Sequence, residues 1–336
     1  MDILLIGGTG NISLSVTKQL LERGDRVTLL NRGNHPLPAG AESLIADIRQ
    51  EEETARKLEG RHFDAVCDFI AFETADVERD RRLFGGKTGQ YVFVSTASAY
   101  QKPPRDYRIT EGVALYNPHW AYSRKKAACE EYLMQQYREN GFPVTVVRPS
   151  HTYGPEKVPV GIHGSKGSWQ VLRRMLDGKP VLIPGDGTSL WTLTASDDFA
   201  RGFVGLLGNP RAIGEAFHIT SDETLTWDQI HGLIADALGV PLKAYHVASD
   251  FLAAVSPYDL EGALLGDKAY SVVFDNTKLK RAVPAFRAEI PACRGIREAV
   301  ANLLADPARQ TADPEFDAWC DRVIEALENA KEVLRR

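Results

Sequence analysis

Tyr122 and Lys126 stand four residues apart in His119-Trp120-Ala121-Tyr122-Ser123-Arg124-Lys125-Lys126. On a helix that step puts both side chains on one face. An ammonium held there lowers the phenol pKa and can reach a cofactor ribose, so the phenol can give or take a proton as hydride moves. The spacing alone is common on ordinary helix surfaces. It gains weight from what precedes it: Tyr91-Val92-Phe93-Val94 reads as a strand and ends in Ser95-Thr96-Ala97-Ser98-Ala99-Tyr100. Hydroxyls at the C-terminal edge of a strand lie where α/β sheets bind ligands.

A second chemical signal opens the chain. Ile3-Leu4-Leu5-Ile6-Gly7-Gly8-Thr9-Gly10-Asn11-Ile12-Ser13 sets glycines directly after a strand and before a helix. Gly7 permits a tight turn, and Gly10 lets the backbone approach a pyrophosphate. The helix that follows offers unpaired N–H groups and the positive end of its dipole. Ser13 occupies the place of a third small residue. The second strand ends at Asn31-Arg32, where NAD enzymes usually carry an acid for the ribose 2′-hydroxyl. With no carboxylate to repel a 2′-phosphate and a guanidinium able to pair with it, the expected cofactor is NADP, with NAD also accommodated.

These groups need a scaffold. Short apolar runs at residues 2–6, 26–31, 43–48, 65–70, 91–95 and 144–148 alternate with helical patterns such as 12–23 and 122–139. Such alternation predicts an α/β fold with a Rossmann-like, doubly wound parallel sheet. The texture changes after Arg148. Residues 152–167 are rich in Gly and Pro and read as a long functional loop. Helices at 168–178, 197–207, 227–238 and 315–336, a short strand at 181–183 and the turn Pro184-Gly185-Asp186-Gly187 follow. The expected domains are residues 1–150 for NAD(P) binding and 151–336 as a smaller, mainly substrate-binding α/β region, with room for the chain to cross back.

Composition narrows the class. A chain of 336 residues, 43% hydrophobic and 25% charged, can bury a large core. Its formal net charge is -5, which gives no general attraction to nucleic acid or membrane. No apolar run is long enough to span a bilayer, and the N-terminus lacks a basic leader, so a cytoplasmic protein is expected. Cys67, Cys129, Cys293 and Cys320 form no C-x-x-C pair and no metal spacing; buried free thiols and no metal site are expected.

Taken in order, Gly7-Gly8-Thr9-Gly10, Ser95-Thr96 and Tyr122-x-x-x-Lys126 resemble the extended short-chain dehydrogenases/reductases, the NAD-dependent epimerase/dehydratase group. Arg148-Pro149-Ser150-His151-Thr152-Tyr153-Gly154-Pro155, Asp197-Asp198-Phe199-Ala200 and Phe217-His218-Ile219-Thr220 resemble later motifs of that family, over roughly Met1 to Ala305. Within it, the segment ending in Asn31-Arg32-Gly33 and the Trp191 segment are most similar to the branch of chloroplast stem-loop-binding proteins. The resemblance implies Tyr122 as acid/base and Lys126 as its tuner. It implies Thr96 as the hydroxyl on the reacting oxygen, preferred to Ser95 by its spacing to Tyr100, with Ser98 third. It implies a cofactor held by Gly7, Thr9, Gly10, Asn11, Ile12, Asn31, Arg32, Asp47, Ile48, Phe69, Ser95, Tyr122, Lys126 and Pro149. Substrate contacts fall to Thr96, Ser98, His151 and Trp191.

Three departures bear on the reaction. Ala97-Ser98 stands where the family's dehydratases carry Asp-Glu, Trp191 stands where an arginine grips a nucleotide-sugar diphosphate, and Asn11 replaces a common aromatic. The first two argue against dehydration and against a nucleotide sugar. The expectation is an NAD(P)-dependent oxidoreductase or epimerase acting on a hydroxyl or carbonyl of a small, sugar-derived substrate. The expected partners are that substrate and a second copy of the chain in a homodimer. The alternative is an RNA-binding or regulatory protein on a Rossmann scaffold, opposed by the acidic charge and the intact Tyr-Lys pair.

Overall fold

Ile3, Leu4, Leu5 and Ile6 are all completely buried, as a strand covered on both faces must be. They lie in β1 (Asp2–Ile6), which pairs in parallel with β2 (Arg26–Asn31) on one side and β4 (Ala65–Asp68) on the other. The computed structural model describes residues 1–336. With β3 (Glu42–Ile45), β5 (Tyr91–Val94), β6 (Val144–Pro149) and β7 (Glu215–Ile219), the strands form one parallel sheet in the order β7-β6-β5-β4-β1-β2-β3.

Alternate residues of the strands feed two apolar layers. Ile3, Leu5, Val27, Leu29 and Val92 pack with Val16 and Leu20 of α1 (Ser13–Glu22) and with Phe199 and Phe203 of α5 (Ser196–Leu206). Leu4, Ile6, Val66, Phe93 and Val146 pack with Leu83 and Phe84 of α3 (Thr74–Phe84) and Leu133 of α4 (Ala121–Asn140). The doubly wound sheet expected from strand-helix alternation is therefore present. Strand order reverses between β1 and β4, and in open α/β sheets ligands bind beyond the strand ends at that switch. Gly7 follows β1 there.

The chain divides into two compact units. One comprises Met1–Thr152, Thr194–Asp222 and Phe274–Glu289, so β7 and α5 return to the sheet after an excursion. The other comprises Tyr153–Leu193, Glu223–Val273 and Ile290–Arg336. It holds the helices Trp169–Leu176, Trp227–Leu238, Ala292–Ala305 and Pro314–Leu334. Inside it Arg174, 1% exposed, is neutralised by Asp317 at 2.6 Å and Asp321 at 2.7 Å.

Two local expectations are corrected. The fourth strand stops at Asp68 rather than residue 70, because the Asp68 carboxylate accepts the amides of Ile70 and Ala71 and turns the chain. Cys293, expected among the buried thiols, is exposed on the first turn of helix Ala292–Ala305; Cys67, Cys129 and Cys320 are buried. No helix is long and apolar enough to cross a membrane.

Candidate active site

The glycine loop takes its shape from backbone angles that side chains resist. Gly7 has φ +105° and Gly8 φ +87°, and a Cβ on Gly8 would come within 2.6 Å of Leu29 Cδ2. At Gly10 a Cβ would meet nothing of the protein closer than Ser13 Oγ at 3.5 Å. Space on that side is thus left for something outside the chain. The residue before α1, Ile12, supplies no side-chain cap, and the first turn carries no acid. An uncapped helix start with its dipole unopposed suits an anion. Ser13 Oγ accepts from the Gly10 amide at 2.9 Å, and Thr17 Oγ1 donates to Gly8 O at 2.8 Å, so α1 stiffens the loop. Exposed Asn11 reaches Thr152 O at 3.3 Å, and Thr9 is half-buried.

At the end of β2, Asn31 Oδ1 accepts from the Gly33 amide at 2.8 Å. The Arg32 side chain is exposed. The chain after β3 comes alongside, with the Ala46 amide donating to Asn31 O at 2.9 Å. That brings half-buried Asp47 and buried Ile48 near the same strand end. Phe69 follows β4, its amide on Ile6 O at 3.2 Å and its ring 5.4 Å from Phe203. Pro149 ends β6 opposite Ile219, and His151, half-buried, stands two residues beyond it.

Lys126 is the most constrained of the expected residues. It is 2% exposed, and its Nζ donates to Ala71 O at 2.6 Å and Val94 O at 2.7 Å. These carbonyls sit just beyond β4 and at the end of β5. The ammonium also lies over the rings of Phe72 (4.6 Å) and Phe93 (4.7 Å). Burial pulls its pKa down to about 8, with the Asp68 charge the largest influence opposing that fall. Tyr122, one turn earlier, is half-buried between Trp120 (ring centroids 5.1 Å) and Phe72 (6.1 Å).

The candidate hydroxyls divide. Thr96 Oγ1 and Ser98 Oγ are 2.9 Å apart, and Ser98 Oγ is 2.7 Å from Ser123 Oγ, so a chain of hydroxyls links the β5 end to the residue beside Tyr122. Ser95, expected at the cofactor, instead turns its hydroxyl inward to donate to Glu130. Trp191, expected to face substrate, is 2% exposed and stacks on Trp227 at 5.8 Å, its Nε1 buried without a hydrogen-bond partner.

Sequence reasoning missed Asp68, Phe72, Trp120 and Glu130. Glu130 continues the face of Tyr122 and Lys126 by another four residues, a spacing that could have revealed it. It pairs with Arg148 at 2.5 Å, both buried, and Arg148 covers the Tyr100 ring at 4.9 Å. Tyr100 meets His218 Nδ1 at 3.0 Å, and burial lowers the His218 pKa to about 4.

Motif order and sheet order together point to a class, and the chain is similar to members of the NAD-dependent epimerase/dehydratase group. The model of the NAD dependent epimerase/dehydratase family matches residues 81–220. The chain is 27% identical over 291 residues to 2'-dehydrokanamycin reductase of Streptomyces kanamyceticus, covering 85% of this chain and 80% of that one. It is 29% identical over 255 residues to chloroplast stem-loop binding protein of 41 kDa b from Arabidopsis thaliana, covering 71% of this chain and 64% of that one. The fold is similar to that of Thermus thermophilus UDP-glucose 4-epimerase in complex with NAD, with TM-score 0.69 and 22% identity over 90% of this chain and 99% of that one. The family uses nicotinamide cofactors.

Proposed function

We propose that the protein is an NAD(P)-dependent reductase or epimerase acting on a hydroxyl or carbonyl of a small, sugar-derived substrate, with Tyr122 as acid/base. The observation that carries this reading is Lys126, a buried ammonium with a depressed pKa, pinned by two strand-end carbonyls on the helix face of Tyr122. Burying a charge is costly, and such perturbed groups cluster at functional sites.

The residues present fit a dinucleotide. Gly7, Thr9, Gly10, Asn11 and Ile12 would hold its pyrophosphate at the uncapped α1 start. Asn31, Arg32, Asp47 and Ile48 would hold the adenosine end, and Phe69 and Pro149 would line the rest. Bound there, the nicotinamide supplies or accepts hydride. Tyr122 holds the moving proton at its phenol oxygen, and the Lys126 ammonium favours the phenolate. If Thr96 Oγ1 accepts from both the amide and the hydroxyl of Ser98, its own proton is left for the reacting oxygen. His151 and Ser98 would complete the substrate contacts.

The relative named a reductase, matched over 85% of the chain, supports reduction over dehydration. Spectrophotometric consumption of NADPH and NADH against a panel of keto-sugars and keto-glycosides tests the reading. Turnover of one or more is expected, as net cofactor consumption or as an epimer formed at constant cofactor; failure of the whole panel in reduction, in reverse oxidation and in epimer formation overturns it. One observation favours the RNA-binding rival, the 29% identity to the chloroplast stem-loop binding protein. Salt-dependent binding of a stem-loop RNA at submicromolar concentration would support that rival, and its absence is expected for a chain of net charge -5.

NADP(H) preference forms part of the proposal. Arg32→Ala should weaken NADP(H) binding by about 1.5–3 kcal/mol, the scale of a charge-assisted hydrogen bond, and leave NAD(H) binding nearly unchanged. Calorimetric titration of both cofactors decides it; tighter NAD(H) binding by wild type refutes the preference.

Nucleotide sugars should bind poorly, and no 4,6-dehydration should occur. Dehydration needs an acid and a base besides the tyrosine, and Ala97 and Ser98 offer neither near neutral pH. In the Tyr153–Leu193 segment the nearby arginines are already spent: Arg173 pairs with Asp177 at 2.9 Å, and Arg174 with Asp317 and Asp321. Thermal-shift assays with UDP-, dTDP- and GDP-sugars at saturating cofactor check this. Stabilisation at micromolar concentration, or a 4-keto-6-deoxy product by mass spectrometry, overturns it.

A further inference from the structure

Tyr122 stands between two aromatic rings that keep surface for something else. The Trp120 ring lies 5.1 Å from it at an interplanar angle of 54°, and the Phe72 ring 6.1 Å from it at 50°. At those tilts the phenol lies flat on neither ring and hides neither aromatic face. Phe72 is 45% exposed, although leaving a large ring in water forfeits its burial. Trp120 is half-buried, whereas the other four tryptophans, Trp169, Trp191, Trp227 and Trp319, are 8%, 2%, 0% and 4% exposed.

The two rings flank the phenol from different elements. Phe72 ends the turn that follows β4, and in that turn Ile70 comes within 3.3 Å of where a Cβ on Gly7 would stand. Phe72 therefore belongs to the glycine-loop side, and the Lys126 ammonium lies over its ring at 4.6 Å. Trp120 comes from the other flank, as the residue that precedes α4. Both are fixed by backbone bonds: the Phe72 amide donates to Asp76 Oδ2 at 2.9 Å, and Trp120 O accepts the Arg124 amide at 3.2 Å. The charges alongside are engaged. Glu73 pairs with Lys125, and the Arg124 guanidinium turns back to Pro118 O at 2.7 Å and Asn117 O at 3.2 Å. The surface offered beside the phenol is thus aromatic and uncharged.

A pyranose ring suits such a surface. Its faces carry C–H bonds of slight positive charge, its hydroxyls point outward around the rim, and an aromatic face is slightly negative. The indole N–H, a donor, lies at the ring edge where rim hydroxyls fall. A phosphate or carboxylate laid there would lose water and gain no compensating bond. We propose that Trp120 determines substrate specificity at the Tyr122 site by stacking on the uncharged ring face of a cyclic glycoside, with Phe72 closing the opposite, cofactor-side flank. The proposal deepens the sugar-directed reading given above and rests on it for its place in turnover.

Trp120, as the one tryptophan outside the core, is its own reporter. The fluorescence of wild-type protein saturated with NADP+ is followed during titration with methyl glucosides, galactosides and mannosides, and with sorbitol, which has the hydroxyls without a ring face. A saturable change with at least one methyl glycoside, absent with sorbitol, is expected. No saturable change with any glycoside, or an equal one with sorbitol, overturns the proposal without recourse to a variant. Trp120→Leu should abolish glycoside binding in saturation-transfer NMR and Trp120→Phe should retain it; a folded leucine variant that binds like wild type also overturns it. On a keto-glycoside that is turned over, Trp120→Leu should raise KM about tenfold and leave kcat within about twofold, because a contact to the unreacting face acts alike in ground and transition states. A fall in kcat at unchanged KM overturns the stacking role. Glycoside binding without turnover of the keto-sugar panel keeps Trp120 and refutes the Tyr122 chemistry, and turnover that ignores Trp120 does the reverse.

Discussion

Tyr122→Phe should lower turnover by on the order of 10²-fold or more while leaving cofactor binding nearly intact. The phenylalanine keeps the ring between Trp120 and Phe72 and removes only the proton-carrying oxygen. The loss therefore belongs in kcat, because the hydroxyl is needed where charge develops and not where the cofactor is gripped. The measurement is kcat and KM on whichever keto-sugar of the panel is turned over best, with calorimetric cofactor titration beside it. A phenylalanine variant that turns over like wild type removes Tyr122 from the mechanism. A variant that loses cofactor binding to the same degree as turnover points to a structural role.

The largest effect on stability should come from the pair beneath the site. Glu130→Ala or Arg148→Ala should each cost about 3–5 kcal/mol, because each leaves an uncompensated charge in the interior. The two side chains are 4% and 7% exposed. Burial alone would lower the Arg148 pKa, but the Glu130 carboxylate overrides it and raises it, so the arginine cannot escape by losing its proton. Glu130 also accepts from Ser95 Oγ, and Arg148 covers Tyr100, so each truncation leaves further polar atoms unmet. The double change Glu130→Leu with Arg148→Met should cost less than either single, since no charge is stranded. Urea unfolding of the three variants checks this, and single variants within about 1 kcal/mol of wild type would show the pair to be dispensable.

Much of the fold was legible in the chain. Runs such as Ile3-Leu4-Leu5-Ile6 are apolar on both faces, and a strand of that kind is stable only inside a parallel sheet covered by helices. The glycine loop was legible for the same local reason: Gly7 and Gly8 adopt φ values that other residues resist, so their placement marks a turn between strand and helix. The helix carrying Tyr122 and Lys126 runs over Ala121–Asn140, as the four-residue step requires. The stop of β4 at Asp68 was less visible, because it depends on a side chain competing for amides against a pattern that reads on as strand.

What local pattern determined, then, is the order of elements, the parallel sheet and the side-by-side placement of Tyr122 and Lys126. What only the tertiary structure decided is which partner each polar group takes. Ser95 reads as a strand-end hydroxyl facing a ligand, yet it donates its hydrogen bond to Glu130, 35 residues away. Lys126 finds its carbonyl at Ala71, 55 residues earlier, and Arg148 finds its carboxylate 18 residues earlier. Trp191 reads as a substrate wall and is packed on Trp227 instead. Periodicity reports which face of an element is buried, because that depends on the element's own repeat. Hydrogen bonds and ion pairs join residues from different elements, and their geometry exists only once the sheet has brought those elements together.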